Sequence, residues 1–133
     1  MNLSAYRNQT ALAILFPCLL LLFVSCKETR TMEVTATAYN SVESQTKKGG
    51  PYTAAWGDQL EPGMKAIAVS RDLIPEGLDH KTEVSIEGLK GKYKVLDKMN
   101  KRWNKKIDIY MGNDIKKARH WGKRKVNIEW EVD

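Results

Sequence analysis

Between residues 33 and 132, five short runs place an apolar side chain at every second position, and only a strand sorts that pattern onto two faces. Val34, Ala36 and Ala38 alternate with Thr35, Thr37 and Tyr39. Val84 and Ile86 repeat the pattern, as do Tyr93 and Val95 and the closing run 126–132. In 106–111, Ile107, Ile109 and Met111 share one face, which forces Asp108 and Tyr110 onto the other. A sixth run, Ala66-Ile67-Ala68-Val69, is apolar throughout and suits a strand buried on both sides. Pro62-Gly63, Pro75 with Gly77, and Gly88 with Gly91 separate these runs, the last pair bracketing a hairpin. Only Ile115, Ala118 and Trp121 recur at helical spacing, after a cap at Asn113 and before a stop at Gly122. The expectation is a mainly β single domain of about six strands and one short helix, a small barrel rather than a sandwich. Residues 40–51 are polar and aperiodic, and read as a long loop.

The first residues set a compartment. Arg7 precedes an apolar run from Ala11 to Val24 that is interrupted by Pro17, shorter than the roughly 20 residues a membrane-spanning helix needs. Leu22-Phe23-Val24-Ser25-Cys26 is similar to a lipobox, which implies cleavage before Cys26 and acylation of that cysteine. Ordinary secretion and an uncleaved anchor are the competing readings. The expected division is therefore a signal peptide at 1–25, a tether at 26–32 carrying the lipidated Cys26, and one domain at 33–133. Its expected address is a membrane-anchored lipoprotein outside the cytoplasm, on the outer membrane facing the periplasm.

Cleavage would remove Cys18 and leave 108 of the 133 residues, enough for one core without disulfide staples. Loss of Arg7 takes the formal net charge from +6 to +5, a balance that suits anionic envelope partners such as headgroups and peptidoglycan carboxylates. No nucleic-acid motif is present, and an exported protein meets little nucleic acid. His80 and His120 have no partners at metal-ligand spacing, and no phosphate loop, dinucleotide or Ser-His-Asp signature appears, so neither metal nor cofactor is expected.

Two segments carry a family likeness. Gly63-Met64-Lys65-Ala66-Ile67-Ala68-Val69, followed by Ile74-Pro75 and Gly77, is one. The other is Asp97 followed eleven positions later by Ile107-Asp108-Ile109-Tyr110-Met111-Gly112. Together they resemble the three-aspartate (3D) domain, a double-psi β-barrel that forms the catalytic part of the MltA family of membrane-bound lytic transglycosylases. The resemblance runs from Thr35 to Trp130 and implies that Asp108 is the catalytic aspartate and Asp97 its support. The third aspartate of the pattern falls at Ser70, with Asp72 two positions on. The family's glycines between its last two aspartates are absent from the segment 97–106.

The implied reaction needs only one carboxyl. The 6-hydroxyl of N-acetylmuramic acid attacks its own C1, and Asp108 serves first as acid and then as base, giving a 1,6-anhydro product. Lys98, Lys101, Arg102, Lys105 and Lys106 crowd the same segment, and cations lower a carboxyl pKa, so burial or repulsion from Asp97 must restore Asp108. The cations, Lys105 among them, could instead meet substrate carboxylates, or form a solvated loop with Asp108 salt-bridged. Trp56, Trp103 and Tyr110 are candidate sugar platforms, with core packing as the alternative for the tryptophans; Trp121 and Trp130 read as core. The expected partner is the peptidoglycan glycan strand. The alternative to an enzyme is a non-catalytic wall-binding or envelope-scaffold protein, with an envelope protein partner.

Overall fold

The computed structural model describes residues 22–41 and 52–133; most of the expected signal peptide at 1–25 and of the expected loop at 40–51 lies outside the described residues. Among the described residues eight strands form: β1 Glu28–Tyr39, β2 Tyr52–Thr53, β3 Gln59–Leu60, β4 Ala66–Val69, β5 Glu83–Ile86, β6 Lys92–Lys98, β7 Lys106–Tyr110 and β8 Arg124–Val132, with helix α1 at Ile115–Trp121. Six of them close a barrel in the order β1-β7-β4-β6-β5-β8, while β2 and β3 make a separate hairpin. Within the ring β1/β7 and β4/β6 are parallel and the other four pairs antiparallel.

The barrel interior is the main core. Val34, Ala36, Ile67, Val69, Val84, Ile86, Val95, Ile107, Ile109, Val126, Ile128 and Trp130 meet there, all within residues 28–132. Each comes from the inward parity of its strand, so the alternation expected for 33–39, 83–87, 106–111 and 126–132 is the one that fills the barrel. Trp121 and Trp130 are buried, and Trp130 Nε1 donates to Glu76 O at 3.1 Å.

A smaller cluster lies on the barrel's outside. Ala66 of β4, Leu96 of β6 and Tyr110 of β7 point outward and are covered by Ala54 and Leu60 of the hairpin. Tyr110 is only 3 % exposed, so the outward face of β7 is a second packed layer beneath the hairpin. The 52–60 hairpin has no periodic signal because its strands have two residues each.

Two sequence expectations are corrected. Residues 28–32, read as tether, are strand: β1 pairs with β8 from Glu28↔Val132 to Ala36↔Arg124, and backbone pairing with a nine-residue partner extends the strand through polar residues. Lys27 alone then separates Cys26 from the barrel. The helix is capped by Asp114 rather than Asn113, its side chain accepting from Lys117 N at 2.9 Å, and Ile115 of the expected apolar stripe is exposed. Among the described residues no helix is long and apolar enough to cross a membrane.

Candidate functional site

Strand register assembles the site. On β7, Asp108 is paired with Thr37 of β1 on one side and Ala68 of β4 on the other; Ala68 in turn is paired with Asp97 of β6. Thr37, Asp108, Ala68 and Asp97 therefore form one row across four neighbouring strands on the barrel's outer face. With strands about 4.8 Å apart, the two aspartate backbones stand roughly 10 Å from each other, and the methyl of Ala68 leaves the space between them open.

A β-bulge makes this row. Tyr93 and Val95 face the interior, and strict alternation would send Asp97 the same way. The register slips between Ile67 and Ala68, so that Val95 pairs with Ile67 and Asp97 with Ala68, leaving Leu96 unopposed. Leu96 and Asp97 both lie on the outer side, one in the outer cluster and the other in the cavity. The extra residue turns an aspartate that would sit in the apolar core into a partner of Asp108.

Asp108, Ala68 and Asp97 of this row floor a cavity of about 360 Å³, walled by Tyr39, Asn40, Tyr52, Lys98, Met99, Asn100 and Trp103. The two carboxyls differ in how they are satisfied. Asp97 is buried and fully engaged: Tyr52 Oη donates to Oδ2 at 2.7 Å, while Ala55 N and Lys98 N donate to Oδ1 at 2.8 and 2.9 Å. It ties the hairpin to the barrel. Asp108 is half-buried and accepts from Thr37 Oγ1 at 3.0 Å. Burial pushes its pKa up and the charge of Asp97 adds to this, while the Thr37 hydrogen bond and Lys106 oppose it. Thr37, not Asp97, is thus the residue that hydrogen-bonds Asp108; Asp97 acts on it through its field.

Tyr39 and Tyr52 complete the wall. Burial, followed by the charge of Asp97, raises the Tyr39 phenol far above its ordinary range, and Tyr52 is raised by burial and by its bond to Asp97. Tyr39 Oη is the one buried side-chain polar atom without a partner among the described residues. Thr37, Tyr39 and Tyr52 were not candidates from the sequence; the parity of 33–39 put the first two on the outer face, but only pairing with 106–110 brings them to Asp108.

The other candidates are dispersed. Tyr110 packs beneath the hairpin 5.4 Å from the Tyr39 ring, its hydroxyl 2.8 Å from Ser41 Oγ, and it does not line the Asp108 cavity. Trp103 lines the cavity, with Lys106 Nζ 3.6 Å and Arg102 Cζ 4.9 Å from its ring centroid. Trp56 stacks on His80 at 5.0 Å and carries Lys98 Nζ at 4.8 Å, and His80 in turn bonds Asp58. Both tryptophan rings are already engaged by cations of the protein. Lys105 is exposed and lies outside the cavity wall, in the left-handed region at φ 43°.

The positions of Ser70 and Asp72 acquire a role here. Ser70 Oγ accepts from Lys106 N at 3.0 Å and Asp72 Oδ2 accepts from Lys105 N at 2.9 Å, while Arg71 Nε donates to Met99 O at 3.1 Å. Both ends of the 99–105 loop are pinned to the 3₁₀ turn Arg71–Leu73 that follows β4. A lysine takes the conformation glycine usually supplies, held by an aspartate on its own amide.

No family model and no curated protein matches this chain. Among solved structures it is similar to an apo expansin from Clavibacter michiganensis, at 16 % identity and a TM-score of 0.52, over 78 % of this chain and 52 % of the expansin. A mutant Clavibacter michiganensis expansin in complex with cellohexaose aligns at 16 % identity and a TM-score of 0.47, over 78 % and 51 % of the two chains. This chain thus spans about half the length of these expansins. At that identity the first likeness bears on fold alone, and it fits a β-barrel of the double-psi kind.

Proposed function

We propose that this chain is a cell-wall-acting lipoprotein, held at the membrane by acylated Cys26, whose barrel binds a polysaccharide strand across the face shared by Asp97 and Asp108. The observation that carries the reading is Asp108: a half-buried carboxyl of raised pKa on the floor of an open cavity of about 360 Å³. A carboxyl of raised pKa carries a proton to higher pH than a free one and in that form can donate to a sugar hydroxyl or glycosidic oxygen, and the exposed Asn100 on the cavity wall offers a further polar partner. Peptidoglycan is the glycan a protein at this address meets. With Lys27 as the only spacer before β1, the barrel works against the membrane surface on an outer-membrane, periplasm-facing anchor.

A second reading, a 3D-type lytic transglycosylase, draws on the same carboxyl. A carboxyl with raised pKa can protonate the glycosidic oxygen and then accept the proton of the muramic 6-hydroxyl as that oxygen closes on C1. With Asp97 committed to three donors, a mechanism needing only one free carboxyl is the form of glycan cleavage this site suits. Pelleting of the 27–133 barrel with purified sacculi, with mass analysis of the supernatant, separates the two. Asp108→Asn keeps a neutral, isosteric hydrogen-bonding group, so binding persists in the variant under both readings. Anhydro-muropeptides released by the wild type and absent with Asp108→Asn identify the enzyme; binding without product identifies the wall-binding protein. Failure to pellet with sacculi refutes both.

A further inference from the structure

Five cations, Lys98, Lys101, Arg102, Lys105 and Lys106, fall within nine residues of a segment whose Lys98, Met99, Asn100 and Trp103 line the Asp108 cavity, and among the described residues none of them makes an ion pair within 4 Å. A solvated loop would leave such side chains loose. Here the backbone is pinned at both ends by Ser70, Arg71 and Asp72, and Arg102 N is held by Asn100 Oδ1 at 3.1 Å. Three of the cations rest on indole rings: Lys106 and Arg102 on Trp103, and Lys98 on Trp56. Trp103 and Lys98 themselves line the cavity. Aromatic rings used in this way fix where the charges stand, and charges already held in place lower the ordering cost of binding an anion.

We propose that the loop 98–106 is a preorganised anion-recognition rim, which favours a glycan bearing carboxylates beside the sugar bound over Asp108 over a neutral one. The two tryptophans serve as rests for the cations. The inference builds on the polysaccharide reading above and adds the charge class of the substrate. In a peptidoglycan strand the carboxylates come from the stem peptide or from the lactyl group, and both offer the same chemistry to lysine and arginine.

The test measures binding of the full chain to four insoluble polymers: intact sacculi, sacculi with their carboxyls converted to methylamides, sacculi stripped of stem peptides so that the lactyl carboxylate remains, and neutral chitin. The wild type is expected to bind intact sacculi about tenfold more tightly than methylamidated sacculi or chitin, the effect of a few partly exposed charge pairs. That preference shrinks as salt rises from roughly 50 to 300 mM. Lys98→Gln with Arg102→Gln and Lys106→Gln is expected to lose the preference while still binding chitin. Retention on stripped sacculi assigns the lactyl carboxylate, and loss there assigns the peptide; either supports the rim. Equal binding of wild type to intact and methylamidated sacculi overturns it, and because that arm changes only the polymer, no variant has to fold. If wild type binds charged and neutral polymers alike, the rim alone fails. If it binds none of the four, the polysaccharide reading fails and the rim with it.

Discussion

Two tyrosines of one wall should respond in opposite directions to the same one-atom deletion. Tyr52 Oη donates to Asp97 Oδ2 at 2.7 Å, a bond to a buried carboxylate that links the β2–β3 hairpin to β6. Hydrogen bonds to charged groups contribute about 1.5–3 kcal/mol; Tyr52 is half-exposed, which favours the low end, about 1.5 kcal/mol. Tyr52→Phe keeps the ring and its 5.8 Å contact with Tyr39, so this bond is what is lost. With a urea m-value of roughly 1.5 kcal/mol/M for a domain of this size, the midpoint falls by about 1 M at unchanged m. Among the described residues Tyr39 Oη has no partner, so Tyr39→Phe removes a buried hydroxyl that makes no hydrogen bond there, and the midpoint stays or rises by up to about 0.5 M. Urea titration of the 27–133 barrel followed by tryptophan fluorescence measures both. If the two variants lose equal stability, or Tyr39→Phe loses more, the assignment of Asp97 as the hairpin's anchor is wrong.

Three further outcomes are expected. Because the Asp108 pKa is raised in the folded state, its contribution to stability is complete below the unfolded carboxyl value of 3.8 and is lost as pH climbs through the folded value; Asp108→Asn should match wild type at low pH and exceed it at neutral pH, as thermal melts across pH will show. Thr37→Val removes the donor to Asp108 and should raise that pKa further, visible in a carboxyl ¹³C titration, whereas a fall would mean that Thr37 does not hold the charged form. Gly77 sits at φ 98°, and a Cβ there would collide with Val132 Cγ1, so Gly77→Ala should cost roughly 3 kcal/mol from strain and overpacking, read as a drop in Tm of at least about 10 °C.

Periodicity served where a strand obeys one parity along its whole length. In 106–110 it separated Ile107 and Ile109 from Asp108 and Tyr110, and the barrel keeps that division. It failed at β6, where the parity of Tyr93 and Val95 sends Asp97 inward and nothing local announces the slip at Leu96; the bulge exists because β4 and β6 must match across the ring. It also failed at residues 28–32, whose polar side chains carry no pattern and whose strand is imposed by β8. The candidate site was legible in its two aspartates. The hydroxyls that surround them come from β1 and the hairpin, whose placement is a property of register rather than of any motif.

The strand β1 is shared: its first nine residues pair with β8 and its last five with β7, overlapping at Thr35 and Ala36. The ring therefore closes between residues nearly a hundred positions apart, and the opposing termini of the domain meet before any of its hydrogen-bonded circuit is complete. Loop-closure entropy makes such pairing slow, so the barrel folds late rather than segment by segment. Until residues 124–132 emerge from the ribosome, β1 has half its partners missing and the chain stays open. A ring built this way cannot close one segment at a time, so the arrival of β8 sets when the circuit can complete.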